Sequence, residues 1–413
     1  MTEENFMNDS KWLTDFKMRA SWGKTGYDGN TGPLNQYTLY GGDAYFSSYD
    51  IYGTNNSAVQ GFRTSYIGNP ATGWQQDVVS NFGIESILWN GKLSLSADWY
   101  IKKTNGLLLP AQLPDILGDA NPPNVNIGNI RNRGIDLLLG SKGKLSKDWS
   151  WDLAITFTTY NNKIIKLNGS RDMINYNQYP AVVNNSVGHP VGSFYGYQLL
   201  GLFQDWGDVN KSPGQQDAAP GRFKYQDINR DDTINEADMT FIGNPNPKFT
   251  AGINIGINYK NFDFSAFFYG SFGNDVLNAI GRQNDIFSSG GDVKSRTALD
   301  NSWAPNNTQA KAPIPELFQN WSNGGQPDAY GIEKGTYFRS RSMILGYTLP
   351  KRLTGKYKIS RMRFYIQAMN LFTITKYSGL DPELSGSTIA FGIDWGSYPN
   401  SQRQFLFGVN LNF

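Results

Sequence analysis

The sequence predicts an all-β fold, an antiparallel transmembrane β-barrel segment of about ten long strands that forms an open or partial barrel. Three observations predict it. Apolar and polar residues alternate with a period of two, the alternating runs are long, and short and long connections follow one another in turn. About ten tilted residues suffice to cross a bilayer. The competing interpretation is a secreted sandwich or solenoid with one buried face, in which strands are usually shorter.

The stretch KLSLSADWYIKK shows the alternation most clearly. Leu93, Leu95 and Trp99 lie on one face, with Ser94 and Ser96 on the other. The pattern recurs in SWDLAITFTTY, TAGINIGINYK, RMRFYIQAMN and the final QFLFGVNLNF. Trp and Tyr near strand ends are typical of an aromatic girdle. We predict spanning strands over residues 14–26, 76–89, 92–103, 131–141, 149–160, 247–259, 261–271, 335–349, 360–373 and 403–413.

The connections between these strands alternate in length. WNGK (89–92) and YKNF (259–262) predict tight hairpins, and 140–149 and 350–360 are also short. The long connections are 27–75, 104–130, 161–246, 272–334 and 374–402. Outer-membrane barrels have short periplasmic turns and long extracellular loops, so the pattern favours a barrel of that kind.

Composition excludes several classes of site. The 413 residues contain no Cys and one His, His189, which argues against thiolate metal sites and a His-based catalytic centre. The net charge of +2 gives no basic field for nucleic acid. No apolar run is long enough for a transmembrane helix, and the acidic start MTEENFMNDSKW does not match a signal peptide. No carboxylate pair is marked as a glycosidase dyad, so we assign no catalytic residues and predict no enzyme.

One loop has the spacing of a calcium site. In DINRDDTINEAD (227–238), Asp227, Asn229, Asp231 and Asp238 occupy positions 1, 3, 5 and 12 of an EF-hand loop, and Thr233 offers its carbonyl at position 7. Asp232 replaces the usual Gly at position 6, and position 12 is Asp instead of Glu. The alternative is an Asp- and Asn-rich turn that satisfies its own backbone. No cofactor is required, and Ca²⁺ is the one that this loop suggests.

Aromatic residues in the long connections are candidates for substrate contact, because their faces stack on sugar rings and peptide groups. The alternative is that they pack the loops against one another. The candidates are Tyr37, Tyr40, Trp206, Trp303 and Trp321.

Several blocks of the chain resemble the SusC/RagA-like family of TonB-dependent outer-membrane transporters of Bacteroidetes. They are LTDFKMRASWGKTG (13–26), LSLSADWYIKKTNGLLL (93–109), NIGNIRNRGIDLLL (126–139), VGSFYGYQLLGLFQ (191–204), the segment 227–255, KNFDFSAFFYGSFGND (260–275), LGYTLPK (345–351) and MNLFTITKYSGLDPE (369–383). The ending FGVNLNF resembles the family's barrel-terminal signal, which the resemblance places at Phe405, Phe407 and Phe413.

The resemblance implies a transporter of the outer membrane that takes up oligosaccharides or peptides. A SusD-like surface lipoprotein would cover the extracellular mouth, and TonB would act through a plug domain. Residues 1–413 show no plug domain, TonB box or N-terminal strands. We therefore expect 1–413 to be the C-terminal part of such a barrel, in contact with outer-membrane lipid, with TonB acting only through the missing part. The alternative function is a secreted or surface glycan-binding β protein without transport activity.

Overall fold

The computed structural model describes residues 12–28, 31–43, 45–53, 58–111, 113–167, 173–178, 181–286, 294–396, 399 and 401–413. Its main element is one antiparallel sheet, here called the wall, in which ten strands lie side by side in chain order. They are β1 (Leu13–Tyr27), β2 (Gln75–Leu88), β3 (Leu93–Pro110), β4 (Asn124–Lys144), β5 (Trp149–Leu167), β6 (Phe249–Tyr259), β7 (Phe262–Phe272), β8 (Tyr337–Thr348), β9 (Arg361–Met369) and β10 (Gln404–Asn412).

The wall is an open sheet. Among the described residues, β1 pairs with β2 alone and β10 with β9 alone, so these two strands form its edges. The short strand Thr373–Thr375 adds a further pairing to β8. The predicted fold class, a partial antiparallel barrel of about ten long strands, is confirmed.

The register separates the wall into two faces. Ala97, Leu137, Phe157 and Ala251 follow one another across four strands. We call this side the apolar face. The neighbouring row contains Ser96, Leu138, Thr156 and Gly252, and we call its side the polar face. Because side chains alternate along each strand, the register of neighbouring strands assigns every side chain of the wall to one of the two faces. The faces predicted from the sequence are confirmed.

Four predicted strand boundaries are wrong. The predicted connection 104–130 spans only 111–123, since β3 continues to Pro110 and β4 begins at Asn124. β5 likewise continues to Leu167, and β9 ends at Met369 instead of residue 373. A bulge at Thr104–Leu107, where Gly106 has φ +63°, lets the ladder continue beyond the alternating region. Alternation marks only the part of a strand that has one apolar face, so pairing beyond it leaves no such pattern.

The predicted tight turns are confirmed. In the turn between β2 and β3, Asn90 and Gly91 have φ of 54° and 82°, the left-handed region that such hairpins need. Tyr259 pairs with Phe262, leaving Lys260, at φ 51°, in the turn between β6 and β7. The connection between β8 and β9 contains a short helix, Lys351–Thr354.

The long connections fold at the opposite end of the wall. We call the described parts of 168–248, 273–336 and 370–403 the head. Its strands are Met173–Gln178, Ala181–Ser186, Phe194–Tyr197, Leu199–Leu202, Phe223–Tyr225, Met239–Gly243, Asp275–Asn278, Ile332–Lys334, Thr373–Thr375 and Ile393–Asp394. The connection 28–74 has its own small strands, Leu39–Gly41, Ser48–Asp50, Ala58–Gln60 and Arg63–Tyr66.

Helices are few and short. They are α1 (Trp206–Lys211), α2 (Ala279–Asp285), α3 (Arg296–Asn301) and α4 (Lys351–Thr354), with 3₁₀ turns at Asp115–Leu117, Glu236–Asp238 and Gly355–Tyr357. In the part of the chain that the structure describes, no helix has the length and apolar character to cross a membrane.

The tightly packed core of this chain lies mainly in the head. One cluster of buried residues brings together Val183, Phe194, Leu277 and Ile393 from three separate connections. A second cluster contains Tyr197, Leu202, Phe223, Tyr225, Ile234, Ile286 and Trp303. A smaller third cluster joins Ile164 and Leu167 of β5 to Val191, where the wall meets the head. The long loops therefore form a folded unit around their own apolar interior.

Candidate functional site

The loop 227–238 forms a turn whose side-chain oxygens accept hydrogen bonds from its own backbone. The Asp227 carboxylate accepts from the amides of Arg230 at 2.6 Å and Asp232 at 2.9 Å. Asn229 accepts from the Asp231 amide at 3.1 Å. Asp232 has φ 63°, so the position where an EF-hand uses Gly adopts the left-handed conformation that Gly favours.

Asp238 joins the two ends of the loop through hydrogen bonds to its buried carboxylate. Its fully buried carboxylate accepts from the amides of Ile228 at 2.8 Å and Asn235 at 2.9 Å. Burial alone would raise the pKa of Asp238, but these amides outweigh burial and lower it. Asn235 and Asp238 also form a capping box on the 3₁₀ turn. Asp238 is thus a structural anchor of the loop.

These contacts match the alternative of a self-satisfied turn. Across the residues that the structure describes, no group of three or more His, Cys, Asp or Glu side chains is arranged to hold a metal ion. Thr233 donates its backbone amide to the Asp231 carboxylate at 2.9 Å. Calcium binding here stays a prediction.

The five aromatic candidates do not form one site. Trp303 is 6% exposed within the second core cluster, and the ring of Trp321 lies 5.3 Å from that of Tyr197. Both tryptophans therefore pack the head. Tyr37, Tyr40 and Trp206, at the start of α1, are exposed and remain candidates for substrate contact. The sequence around Trp303 has no period-two pattern, so it gave no indication whether this side chain is buried in the head or exposed for binding.

The predicted terminal signal lies on the edge of the wall. Phe405 and Phe407 belong to β10 and face Ala368 and Ile366 of β9 on the apolar face. Both are exposed, as is Phe413 just beyond the strand. Their role in assembly stays a prediction.

The head contains a half-open cavity that the sequence did not predict. Its volume is about 900 Å³, and its walls include Asn278, Asp285, Glu333, Lys376 and Asp394. These residues come from two long connections, on either side of β8 and β9. They share no local motif, because only folding of the head brings them together.

Tyr330 shows how the cavity wall is built. Its hydroxyl donates to Asp285 at 2.8 Å, and its ring lies 5.2 Å from that of Phe223 in the core. Burial, followed by the nearby Asp285 carboxylate, raises the pKa of Tyr330. The tyrosine therefore stays a neutral donor to the Asp285 side chain at the edge of the cavity.

Residues 376–396, which we call the strap, form one side of the cavity. The strap is held to the polar face of the wall by Arg339, which is 2% exposed. The Arg339 guanidinium donates to Asp381 and Glu383, both at 2.6 Å, and to Thr373 at 2.8 Å. Because these are charge-assisted bonds in a buried site, the position of the strap depends on the wall strand β8.

Burial also affects the acidic partner of Arg339. It would raise the pKa of Asp381, but hydrogen bonds from Ser401 and Arg339 lower it. Asp381 therefore holds the strap as an ionised group. The sequence block YSGLDPE contains this carboxylate, but nothing in it indicates the Arg339 partner.

The fold and these sites define a class of protein first: a portion of a membrane-type antiparallel β-barrel with a folded loop head. Known proteins match the chain over its full length. TonB-dependent receptor P3 of Formosa agariphila is 32% identical over 430 aligned residues, which cover 100% of this chain and 41% of the receptor. TonB-dependent receptor SusC of Bacteroides thetaiotaomicron is 30% identical over 432, covering 100% and 39%. No protein-family model matches.

A solved structure agrees with these relatives. The RagAB peptide transporter superposes with a TM-score of 0.80 at 25% identity, over 99% of this chain and 42% of that one. The closed-closed state of the RagAB peptide importer gives a TM-score of 0.78. This chain therefore spans less than half the length of each relative. The resemblance to SusC/RagA-like TonB-dependent receptors, predicted from the sequence, is confirmed over the whole chain.

Proposed function

We propose that this chain supplies part of the barrel and the extracellular loops of an outer-membrane, TonB-dependent transporter that takes up oligosaccharides or peptides. The observation that carries the proposal is the continuous apolar face of the wall, whose large side chains are exposed over ten consecutive strands. A water-soluble protein rarely exposes such a contiguous apolar surface. In a bilayer this face contacts lipid acyl chains.

The names of the relatives support a role in transport. TonB-dependent receptors and a peptide transporter match the whole chain, and none of these names describes an enzyme. A non-catalytic role in uptake is consistent with them. The domain assignment of 1–413 as the C-terminal part of the barrel belongs to the same proposal. Energy from TonB would then reach this chain through a plug outside 1–413.

A partner at the mouth also belongs to the proposal. The solved relative is the RagAB peptide transporter, and the resemblance to SusC implies a SusD-like surface lipoprotein. The exposed aromatic residues of the connection 28–74, among them Tyr37 and Tyr40, are available for such a contact. Affinity purification from native membranes should recover one abundant lipoprotein together with this protein.

Fractionation and uptake test the proposal together. The protein should sediment with outer membranes, resist extraction by urea, and need detergent for solubility. A strain without it should lose uptake of one class of oligosaccharide or peptide, and a protonophore should give the same loss in the parent strain. Recovery of the native protein as a soluble species from the culture medium would instead support the secreted glycan-binding alternative.

A further inference from the structure

The cavity in the head has ionisable groups of both signs on its walls. The carboxylates are Asp285, Glu333 and Asp394, and the cations that line it are Arg282, Lys311 and Lys376. The volume of about 900 Å³ is within the range of ligand pockets that bury a drug-sized molecule. Charged groups of both signs around a half-open cavity point to a ligand that also carries charge.

The three carboxylates are held by neutral donors. Glu333 accepts from the Ser378 hydroxyl at 2.6 Å and from Asn278 at 2.9 Å. Asp394 accepts from the Tyr377 hydroxyl at 2.5 Å, as Asp285 does from Tyr330. Within the described ranges, none of the three carboxylates forms a salt bridge, although the neighbouring Asp275 pairs with Lys334. The neutral donors fix the orientation of all three carboxylates toward the cavity wall.

Of the three cations that line the cavity, one forms a salt bridge with a described residue of the protein and two do not. Arg282 is buried and pairs with Asp328 behind the cavity wall at 3.0 Å. Lys311 and Lys376 line the cavity, and neither forms a salt bridge in the part of the chain described here. A ligand with a carboxylate and an ammonium group would therefore find partners of both signs.

The cavity is poorly suited to neutral sugar rings. Tyr330 is the single aromatic residue among the described lining residues, and its ring also contacts the ring of Phe223 in the core. A neutral oligosaccharide would find one aromatic ring for stacking and would offer no charged group to the ionisable side chains of the wall. A peptide carries ammonium and carboxylate groups and would compensate them.

We propose that the head cavity binds a short peptide that carries both an ammonium and a carboxylate group, with Lys376 receiving the carboxylate. The inference rests on the proposed uptake function and narrows its substrate from oligosaccharide or peptide to a charged peptide. Lys376 belongs to the strap, which Arg339 holds in place. Arg339 is thus a positioning residue for this site.

Calorimetry on the detergent-purified native complex tests the inference. The probes are a zwitterionic tetrapeptide with one lysine and one glutamate side chain, the same length of alanine peptide with blocked termini, and a neutral glucose tetrasaccharide. The zwitterionic peptide should bind most tightly. Lys376→Gln should weaken it about tenfold, as expected for loss of one charge-assisted hydrogen bond. Lys351→Gln, at the opposite end of the wall, should not change its affinity.

Two results would overturn the inference. One is equal or tighter binding of the blocked peptide or the tetrasaccharide, and the other is unchanged affinity of the zwitterionic peptide in Lys376→Gln. Uptake by the same strains separates the two proposals. Energy-dependent uptake that Lys376→Gln leaves intact would reject the cavity as the peptide site and retain the transporter. Loss of membrane localisation would reject the transporter itself.

Discussion

In the wall, large apolar side chains such as Phe407, Trp99 and Leu137 are exposed, whereas in the head Phe194 and Phe223 are almost completely buried. The wall can gain from its apolar face only when lipid or another apolar phase covers it. The head has already buried its apolar residues against one another and resembles the interior of a water-soluble protein. The same kinds of side chain therefore have different effects on stability in the two regions.

Charged groups show the same contrast. On the polar face of the wall, Arg363 pairs with Asp263 at 2.5 Å in a half-buried site. Between wall and head, Arg339 and Asp381 form a pair that is almost completely buried. The desolvation penalty is therefore larger for the Arg339–Asp381 pair at the junction, because both partners have lost their contact with water.

The largest expected effect is on the core of the head. Phe223 is 0% exposed. Phe223→Ala should therefore destabilise the head by about 3–5 kcal/mol, because it removes buried apolar surface and leaves a cavity. Phe407→Ala, at 82% exposure on the edge of the wall, is the control and should have little effect on the head. Urea unfolding followed by tryptophan fluorescence measures both. Similar losses in the two variants would contradict the contrast.

The second effect concerns the junction. Arg339→Ala should destabilise the strap by about 3 kcal/mol, because it leaves Asp381 buried without its cation. Arg363→Ala removes the half-buried pair within the wall and should cost about 1 kcal/mol or less. Limited proteolysis of the strap in folded protein reports the difference. Equal protection in both variants would show that Arg339 does not hold the strap.

The third effect tests which face contacts lipid. Leu137 and Leu138 are adjacent, similarly exposed at 38% and 43%, and lie on opposite faces of β4. Leu137→Arg should destabilise the membrane-inserted protein by about 2–4 kcal/mol, and Leu138→Arg by much less. Unfolding from lipid vesicles measures this difference. A soluble protein with a hydrated outer face would tolerate both substitutions equally.

The fourth effect is on the acid stability of the head. The pKa of Asp238 is lowered in the folded state, so its contribution to stability is present above the ordinary carboxyl pKa of about 4. That contribution is lost as pH falls through the lower folded value. Asp238→Asn should cost about 1–3 kcal/mol at neutral pH by disrupting hydrogen bonds to buried amides, and should flatten the pH dependence between pH 5 and pH 2. The exposed Asp231→Asn is its control.

The smallest effect is that of calcium. We retain the proposal that the loop with Asp227, Asn229, Asp231, Thr233 and Asp238 binds Ca²⁺ weakly, in the submillimolar to millimolar range of extracellular sites. At a calcium concentration equal to Kd, the stabilisation would be about 0.4 kcal/mol. Calorimetry should detect heat in the wild type that Asp227→Ala abolishes. Absence of calcium-dependent heat in both proteins would leave the loop as a self-satisfied turn.

Most features of the wall could be predicted from the sequence. The alternation in KLSLSADWYIKK placed Trp99 and Ser96 on opposite faces, and the hairpin signals at 89–92 and 259–262 were correct. The ends of β3 and β5 were missed because pairing continues where one-sided burial stops. In the head, the sequence left Trp303 and Trp321 open between substrate contact and loop packing, and the structure shows both in contact with core residues.

The sequence by itself determined the strand pattern, the two faces and the alternation of short and long connections, because a period of two is a local property of the chain. Only the tertiary structure decided the core of the head, the Arg339–Asp381 junction and the cavity. Those features join residues that are far apart in sequence, as Asn278 and Ser378 are where they meet at Glu333. Contacts of that kind depend on how separate loops pack, and no local spacing records them.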